Sequence, residues 1–168
     1  MPTLYLTCGL PGSGKTTLAK QIEEELPAFR LTADEWLHEL YPDISTPEAE
    51  LGPFRGRVER IQWQIAVRAL KLGCNVVLDW GVWGKEERDL YRTVAREIGA
   101  RVVLCVLDPP IAELWRRLSL RNEDRPFGAF EIAESELLRW SNHFQRPTAE
   151  ELAHYDAPDS IIEMPDKH

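Results

Sequence analysis

One glycine-rich segment limits the fold of this chain more than any other feature of its sequence. Residues Gly9 to Thr16 read Gly-Leu-Pro-Gly-Ser-Gly-Lys-Thr and meet the pattern G-x-x-x-x-G-K-[ST] in full. The strand-like run Thr3–Cys8 precedes this segment, and the apolar-periodic stretch Leu18–Leu26 follows it. Glycines let successive backbone N–H groups face an anion, and the following helix adds its positive N-terminal end. The segment therefore predicts a phosphate-binding loop between a strand and a helix.

The side chains of this loop predict how it binds a nucleoside triphosphate. Lys15 supplies a mobile cation to the β- and γ-phosphates, and the Thr16 hydroxyl is a ligand for Mg²⁺. The residues expected to contact ATP are Gly9, Gly12, Ser13, Gly14, Lys15, Thr16 and Thr17. Such a loop predicts triphosphate binding but leaves the reaction open, because kinases, GTPases, motors and regulators share it.

Short apolar runs alternate with longer helical patterns, which is typical of an α/β fold. The runs that predict strands are Thr3–Cys8, Ala28–Thr32, Asn75–Leu78, Arg101–Leu107 and Ser160–Met164. The stretches that predict helices are Leu18–Leu26, Arg55–Leu72, Lys85–Ile98 and Pro109 to about Leu120. The third and fourth runs are almost continuously apolar, which indicates a parallel sheet covered by helices on both faces. Between the second and third runs, Pro42 to Pro53 contains three prolines and predicts a loop with one helical turn.

Composition narrows the classes of partner. The 168 residues suit one domain, 1–168. The 20 basic and 28 acidic side chains give a formal net charge of 20 − 28 = −8. This acidic balance makes nucleic acid and anionic lipid unexpected partners. The sequence has neither a signal-like N-terminal segment nor a membrane-length apolar run, and its cysteines are scattered, so we expect a soluble cytoplasmic monomer or homodimer. Cys8 and Cys105 lie in apolar runs, so we expect them to be small buried residues. The alternative for Cys8, which lies beside the phosphate loop, is a free thiol that makes activity sensitive to thiol reagents.

Two aspartates follow predicted strands. Asp79 directly follows the run Asn75–Leu78, at the carboxyl edge of the sheet, where an aspartate can hold Mg²⁺. Asp34 follows the second strand and can accept the proton of an attacking hydroxyl. A structural alternative exists for Asp34, because Thr32 and Glu35 have the spacing of a capping box at a helix N-terminus. We predict Asp79 as a magnesium ligand and Asp34 as the general base.

Arginines and tryptophans complete the predicted site. Arg117 and Arg121 are four residues apart and share one face of a helix that precedes the polar segment Asn122–Gly128. They can close over a triphosphate, although a solvated helix end explains them too. Tryptophans that follow predicted strands and would line an acceptor pocket are Trp36, Trp80 and Trp83, whereas Trp63, Trp115 and Trp140 lie in helical patterns typical of core. Arginines that would bind an anionic acceptor, or lie on a solvated helix face, are Arg55, Arg57 and Arg60.

The phosphate loop, Asp34, Asp79 and the Arg-x-x-x-Arg pair together resemble the small P-loop kinases. The group they resemble includes chloramphenicol phosphotransferase, zeta toxins and the kinase domain of polynucleotide kinase. This resemblance implies a three-layer α/β/α sandwich with a five-stranded parallel sheet in the order 2-3-1-4-5 and a short helical lid at about 117–140. It also implies that Lys15 and Thr16 bind ATP–Mg²⁺, that Asp34 is the base, and that Arg117 lies near the adenine and Arg121 near the phosphates.

These features together predict an ATP-dependent kinase that phosphorylates a hydroxyl of a small molecule, such as a nucleoside or antibiotic. The catalytic residues would be Lys15, Asp34 and Arg121. Two alternatives stay open: a 5′-hydroxyl polynucleotide kinase, and a regulatory NTPase that signals by lid closure. The residues after Asp34 carry no basic motif for a nucleic-acid phosphate, and this absence favours a small-molecule acceptor.

Overall fold

A parallel sheet organises the fold and directs the ends of its strands to one edge. The computed structural model describes residues 1–41, 48–124, 129–160 and 162. Within these residues the sheet has four strands in the order β2-β3-β1-β4. The strands are β1 (Thr3–Cys8), β2 (Ala28–Thr32), β3 (Asn75–Gly81) and β4 (Arg101–Val106). All three neighbouring pairs are parallel, so the carboxyl ends of all four strands meet at the same edge.

Helices connect the strands and cover the sheet. Those formed by the described residues are α1 (Lys15–Glu25), α2 (Ala33–Leu40), α3 (Glu48–Lys71), α4 (Lys85–Glu97), α5 (Ile111–Asp124), α6 (Glu134–Ser141) and α7 (Ala149–Leu152). Glycines with positive φ follow α3 and α4, at Gly73 and Gly99, a conformation that commonly ends a helix. None of the described helices combines the length and the apolar character needed to cross a membrane.

The central strand β1 is buried on both faces because side chains alternate along a strand. Leu4 and Leu6 pack into a core formed with α3, α4 and α5, whereas Tyr5 packs on the opposite face with Ala19 and Ile22 of α1. Helices therefore cover both faces of the sheet. The predicted three-layer α/β/α arrangement is confirmed.

The limits of several elements differ from the predictions. The described sheet has four strands, not five; the predicted fifth strand, 160–164, falls mostly on residues outside the described part, and neither Ser160 nor Ile162 is in a strand. Helix α3 begins at Glu48, so residues 48–53 are helical although the segment 42–53, with its three prolines, predicted a loop with one helical turn, and residues 42–47 lie outside the described part. Helix α3 as a whole packs on α2, β2 and β3, and such tertiary packing provides most of the stability of a helix. Helix α5 begins at Ile111, two residues later than Pro109 predicted.

Candidate active site

The phosphate loop joins β1 to α1 at the carboxyl edge of the sheet. A Cβ atom on Gly9 would lie 2.3 Å from the carbonyl oxygen of Leu107 and 2.8 Å from Ser13 Oγ, so no larger residue fits there. Lys15 folds back over the loop, and its Nζ donates a 2.9 Å hydrogen bond to the Leu10 carbonyl. The backbone and the lysine ammonium thus enclose one concave space, as the motif predicts.

A cavity of about 380 Å³ opens in front of this loop. The residues that line it are Pro11, Gly12, Gly14, Lys15, Thr16, Thr17, Asp34, Arg55, Asp79, Trp80, Trp83, Arg117, Arg121, Phe130 and Ile132. Most of the site residues named from the sequence therefore come together at one cavity. Gly9 and Ser13 do not line it: Ser13 is buried behind the loop, and its Oγ has no hydrogen-bond partner within the described residues.

Opposite charges meet beside the phosphate loop. Burial lowers the pKa of the Lys15 ammonium, and the nearby carboxylates of Asp79 and Asp34 oppose this effect. Burial raises the pKa of Asp79, against hydrogen bonds from Thr16 and Thr32 and the charge of Lys15. Ionisation of Asp79 in the folded chain is therefore unfavourable unless a further cation binds nearby.

Thr16 and Asp79 fit the predicted magnesium site. Both side chains line the cavity, and Asp79 is 7% exposed. A hydroxyl and a carboxylate are the hard oxygen ligands that Mg²⁺ takes, with phosphate oxygens and water completing its shell. No group of three or more His, Cys, Asp or Glu side chains that could hold a metal ion occurs in the described ranges.

Asp34 lies in the first turn of α2, at the cavity, where an ion pair holds it. Arg55 Nη2, from α3, lies 2.6 Å from Asp34 Oδ1, and Arg55 Nη1 lies 3.9 Å from Glu59 Oε1. The Asp34 side chain is 45% exposed, so it remains accessible from the cavity. The sequence left Arg55 open between anion binding and a solvated helix face; in the structure it holds Asp34. Arg57 and Arg60, named with it, are exposed and do not line the cavity.

The capping box considered for Thr32 and Glu35 does not form. The Thr32 side chain makes no capping hydrogen bond to α2. Its Oγ1 donates to Asp79 Oδ2 at 3.2 Å and accepts from Arg30, which also pairs with Glu35 at 2.8 Å. Arg30 thus draws both residues away from the helix N-terminus, and Thr32 supports the predicted magnesium ligand instead.

The two predicted lid arginines have different surroundings. Arg121 donates from Nη2 to the Phe130 carbonyl at 3.2 Å, and burial lowers its pKa while the charge of Asp34 opposes this. Arg117 is more exposed and pairs with Glu113 at 2.6 Å. Arg121 therefore faces the site more directly than Arg117 does.

The predicted lid, 117–140, contains the end of α5, all of α6 except Ser141, and a segment that closes one side of the cavity. The Asn122 side chain binds the backbone of Ile132 twice, donating to its carbonyl at 2.8 Å and accepting from its N–H at 3.3 Å. This arrangement places Phe130 and Ile132 in the cavity wall. Residues 125–128 of the predicted lid, Arg125 included, lie outside the described part of the chain.

Two of the three tryptophans expected near an acceptor do line the cavity. Trp83 donates from Nε1 to the Gly9 carbonyl at 3.0 Å, and Trp80 donates to Gln62 Oε1 at 2.7 Å. Trp36 lies elsewhere, in an apolar groove between α2 and α3. The tryptophans predicted as core, Trp63, Trp115 and Trp140, are partly buried against the main core.

Several supporting residues were missed from the sequence. Gln62 is fully buried and links the Trp80 indole to the Thr32 carbonyl, to which its Nε2 donates at 3.2 Å. Gly81, at φ +104°, accepts a 3.1 Å hydrogen bond from the Gly9 N–H. The sequence signal that could have pointed to Gln62 is a polar glutamine within the apolar helical pattern of α3.

The cysteine beside the phosphate loop is shielded. Cys8 is 0% exposed, and burial raises the pKa of its thiol to about 12. The prediction that Cys8 is a small buried residue is confirmed, and because the thiolate is the reactive form, this environment argues against the alternative of sensitivity to thiol reagents. Cys105 is also buried, Cys74 is exposed, and all three are free.

Comparison with known proteins agrees with this geometry. A sequence profile of a family described as "AAA domain" matches residues 4–147. The chain belongs to this AAA domain family. No curated protein matches the chain. The AAA domain assignment does not separate the chloramphenicol phosphotransferase and zeta toxin group from other members, so that finer placement stays a prediction.

Solved structures share the fold of this AAA domain. A gluconokinase from Sinorhizobium meliloti 1021 matches at 18% identity, with a TM-score of 0.58, over 89% of this chain and 78% of its own. Kti12 from Chaetomium thermophilum, in complex with ADP-AlF3, matches at 18% identity, with a TM-score of 0.63, over 88% and 82%. A chain of the Pnkp1/Rnl/Hen1 RNA repair complex matches at 24% identity, with a TM-score of 0.66, over 92% of this chain and 46% of its own. The parallel α/β fold is thus shared with these solved structures.

Proposed function

We propose that this chain is an ATP- and Mg²⁺-dependent kinase that transfers the γ-phosphate of ATP to a hydroxyl of a small molecule, such as a nucleoside or antibiotic. The observation that carries the proposal is the position of Asp34. Its carboxylate lines the same cavity as the phosphate loop and is close enough to Lys15 to affect the pKa of the lysine. A base facing a phosphate site is the arrangement that transfer to a hydroxyl requires and that binding alone does not.

Each residue of the cavity has a role in this reaction. The backbone N–H groups of Gly12 and of residues 14–17, together with the Lys15 ammonium, bind the phosphates, and Asp34 accepts the proton of the acceptor hydroxyl. Thr16 and Asp79 would hold Mg²⁺, which neutralises charge on the β- and γ-phosphates. Arg121 stabilises the transferring phosphoryl group. Arg117 would lie near the adenine of ATP, as the resemblance to small P-loop kinases implies.

The cavity walls support a small acceptor with an apolar or flat part. Trp80 and Trp83 form one apolar surface, and Phe130 and Ile132 form another. The cavity volume of about 380 Å³ lies at the lower end of the usual range for small-molecule sites, roughly 300–1,000 Å³. The net charge of −8 further favours a small acceptor over a polyanionic strand.

A 5′-hydroxyl polynucleotide kinase is the second candidate. The fold likeness to a chain of an RNA repair complex, over 92% of this chain, is the observation that favours it. A polynucleotide acceptor would make binding steeply dependent on salt, because each neutralised phosphate releases counterions. Binding of a small neutral acceptor would not depend steeply on salt.

The test is phosphate transfer from γ-labelled ATP with Mg²⁺ to three sets of acceptors: nucleosides, hydroxylated antibiotics and 5′-hydroxyl oligonucleotides. We expect the wild-type chain to label a small molecule, and Asp34→Asn to lose transfer while it still binds ATP. Lys15→Ala is the control that loses both. Transfer by Asp34→Asn at the wild-type rate would refute the assignment of the base. Labelling of oligonucleotides alone would favour the second candidate, and slow ATP hydrolysis unaffected by Asp34→Asn would favour the regulatory NTPase.

A further inference from the structure

Arg88 is fully buried, yet the proposed reaction makes no use of it. Its side chain is 0% exposed, and that of its partner Glu151 is 2% exposed. The two form a double hydrogen bond, with Nε to Oε1 at 2.6 Å and Nη2 to Oε2 at 3.0 Å. A pair of well-packed apolar residues is often at least as stable as a buried ion pair. Stability of the fold therefore gives no sufficient reason for this pair.

The remaining nitrogen of the guanidinium is directed at the backbone that follows β3. Arg88 Nη1 donates to the carbonyl of Val82 at 3.0 Å and to the carbonyl of Trp83 at 2.9 Å. The Trp83 carbonyl also accepts from the N–H of Gln145 at 3.1 Å. Arg88 thus joins residues 81–83, which we name the support turn, to Glu151 in α7.

The support turn has an unfavourable backbone conformation and contacts the phosphate loop. Gly81 has φ +104° and Val82 has φ +25°, a region that a β-branched residue rarely adopts. Both backbone groups of Gly9, the first residue of the phosphate loop, bind this turn. The Gly9 N–H donates to the Gly81 carbonyl at 3.1 Å, and the Gly9 carbonyl accepts from the Trp83 indole at 3.0 Å.

We propose that Arg88 and Glu151 are positioning residues for nucleotide binding. Their ion pair holds the support turn in its strained form, and the turn in turn holds Gly9 and the Trp83 wall of the cavity. Without the pair, the turn relaxes and the phosphate loop loses the geometry in which its N–H groups face an anion. Glu151 lies beyond residues 4–147, which the AAA domain profile matches, so the family assignment does not account for it. This inference rests on the proposed binding of ATP at the phosphate loop.

The decisive variant removes the pair without leaving a buried charge. Arg88→Met combined with Glu151→Leu replaces both side chains by apolar ones of similar size, a change that many folds accept. ATP–Mg²⁺ affinity is measured by titration calorimetry, and the free energy of unfolding is measured by urea denaturation. We expect a folded chain that binds ATP about tenfold more weakly, since small misplacements in a site are costly. Arg101→Met is the matched control, because Arg101 pairs with Asp159 at 3.2 Å at the other end of the sheet; its ATP affinity should stay at the wild-type level.

A folded double variant that binds ATP as tightly as wild type would overturn the proposal, since the pair would then be structural alone. If the double variant does not fold, Arg88→Lys decides. Lysine keeps the charge beside Glu151 but lacks the planar fork that binds Glu151 and both carbonyls together. Its ATP affinity should also fall about tenfold, and an unchanged affinity would overturn the proposal. A wild-type chain that binds no ATP would overturn the proposed function and, with it, this inference.

Discussion

The carboxylate of Asp34 and the guanidinium of Arg55 are 2.6 Å apart, although the two residues belong to different helices. Arg55 contacts one oxygen of Asp34, Oδ1, and is itself near Glu59 in the next turn of α3. We infer that this contact fixes the direction of the proposed base while its second oxygen can receive the acceptor hydroxyl. The long helix α3 thus contributes to a site whose other parts follow the strands.

Arg55→Ala tests this arrangement. We expect kcat for phosphate transfer to fall about tenfold, because the base becomes mobile, while ATP affinity changes little. Arg55→Lys should recover part of the loss. Arg57→Ala is the control, since Arg57 is exposed on the same helix and stacks over the Phe54 ring, 6.0 Å from its centroid. Equal kcat values for Arg55→Ala and Arg57→Ala would contradict the prediction.

Asp79→Asn should stabilise the nucleotide-free protein and weaken its binding of ATP–Mg²⁺. Burial raises the pKa of Asp79, so the folded chain binds this proton more tightly than the unfolded chain does. The contribution of Asp79 to stability is therefore more favourable at low pH and falls as the pH rises through the raised pKa. At neutral pH we expect the free energy of unfolding of the variant to rise by about 1 kcal/mol, as is common when function costs stability.

Urea denaturation over a range of pH checks this prediction. The difference between Asp79→Asn and wild type should shrink as the pH falls and the wild-type carboxyl becomes protonated. Asp89→Asn is an opposite control, because hydrogen bonding to Lys85 lowers the pKa of Asp89. The charged form of Asp89 is favoured in the folded chain, so Asp89→Asn should slightly lower the free energy of unfolding at neutral pH. A lower stability for Asp79→Asn than for wild type would refute the argument from burial.

Arg121→Ala should slow phosphate transfer about 100-fold or more, in line with the loss of a group that stabilises a transferring phosphoryl. Arg121 lines the cavity and is more buried than Arg117. Arg116→Ala is the matched control, since Arg116 lies on the same helix but is 62% exposed and pairs with Glu113. Steady-state kinetics on both variants are compared with urea denaturation. The role assigned to Arg121 fails if both variants retain the wild-type kcat.

Gly9→Ala should destabilise the chain by about 2 kcal/mol or more, because the new Cβ would meet the Leu107 carbonyl oxygen at 2.3 Å. Gly56→Ala should have the opposite effect. Gly56 lies within α3, where a Cβ atom would point into open space, so alanine should stabilise by about 1 kcal/mol through helix propensity. Thermal and urea unfolding of both variants measure the difference. A stable Gly9→Ala variant would show that the loop tolerates a side chain.

The sequence predicted those features that depend on local pattern. The glycine loop, Asp34 after β2, Asp79 near the end of β3 and the helix containing Arg117 and Arg121 all lie at the cavity, because parallel strands end at one edge. Strands β1 and β2 have the predicted limits. The order of the four described strands follows the predicted 2-3-1-4, and this part of the expectation came from the resemblance to P-loop kinases.

Pairings between distant residues could not be predicted in this way. Arg88 and Glu151 are 63 residues apart, and nothing in either local sequence marks it as buried. The Thr32 and Glu35 spacing fits a helix cap, but Arg30 competes for both side chains. Tertiary contacts therefore decide what a polar residue does whenever two partners with good geometry are available.

The ion pair between Arg88 and Glu151 also bears on how this chain should be trimmed for expression. A fragment ending at residue 147, the limit of the family match, would keep the guanidinium and discard its carboxylate. The fragment would then hold an uncompensated charge in its interior, a defect that costs about 3–5 kcal/mol. Boundaries drawn from family similarity alone would thus yield an unstable product, and the segment with α7 belongs to the minimal folding unit.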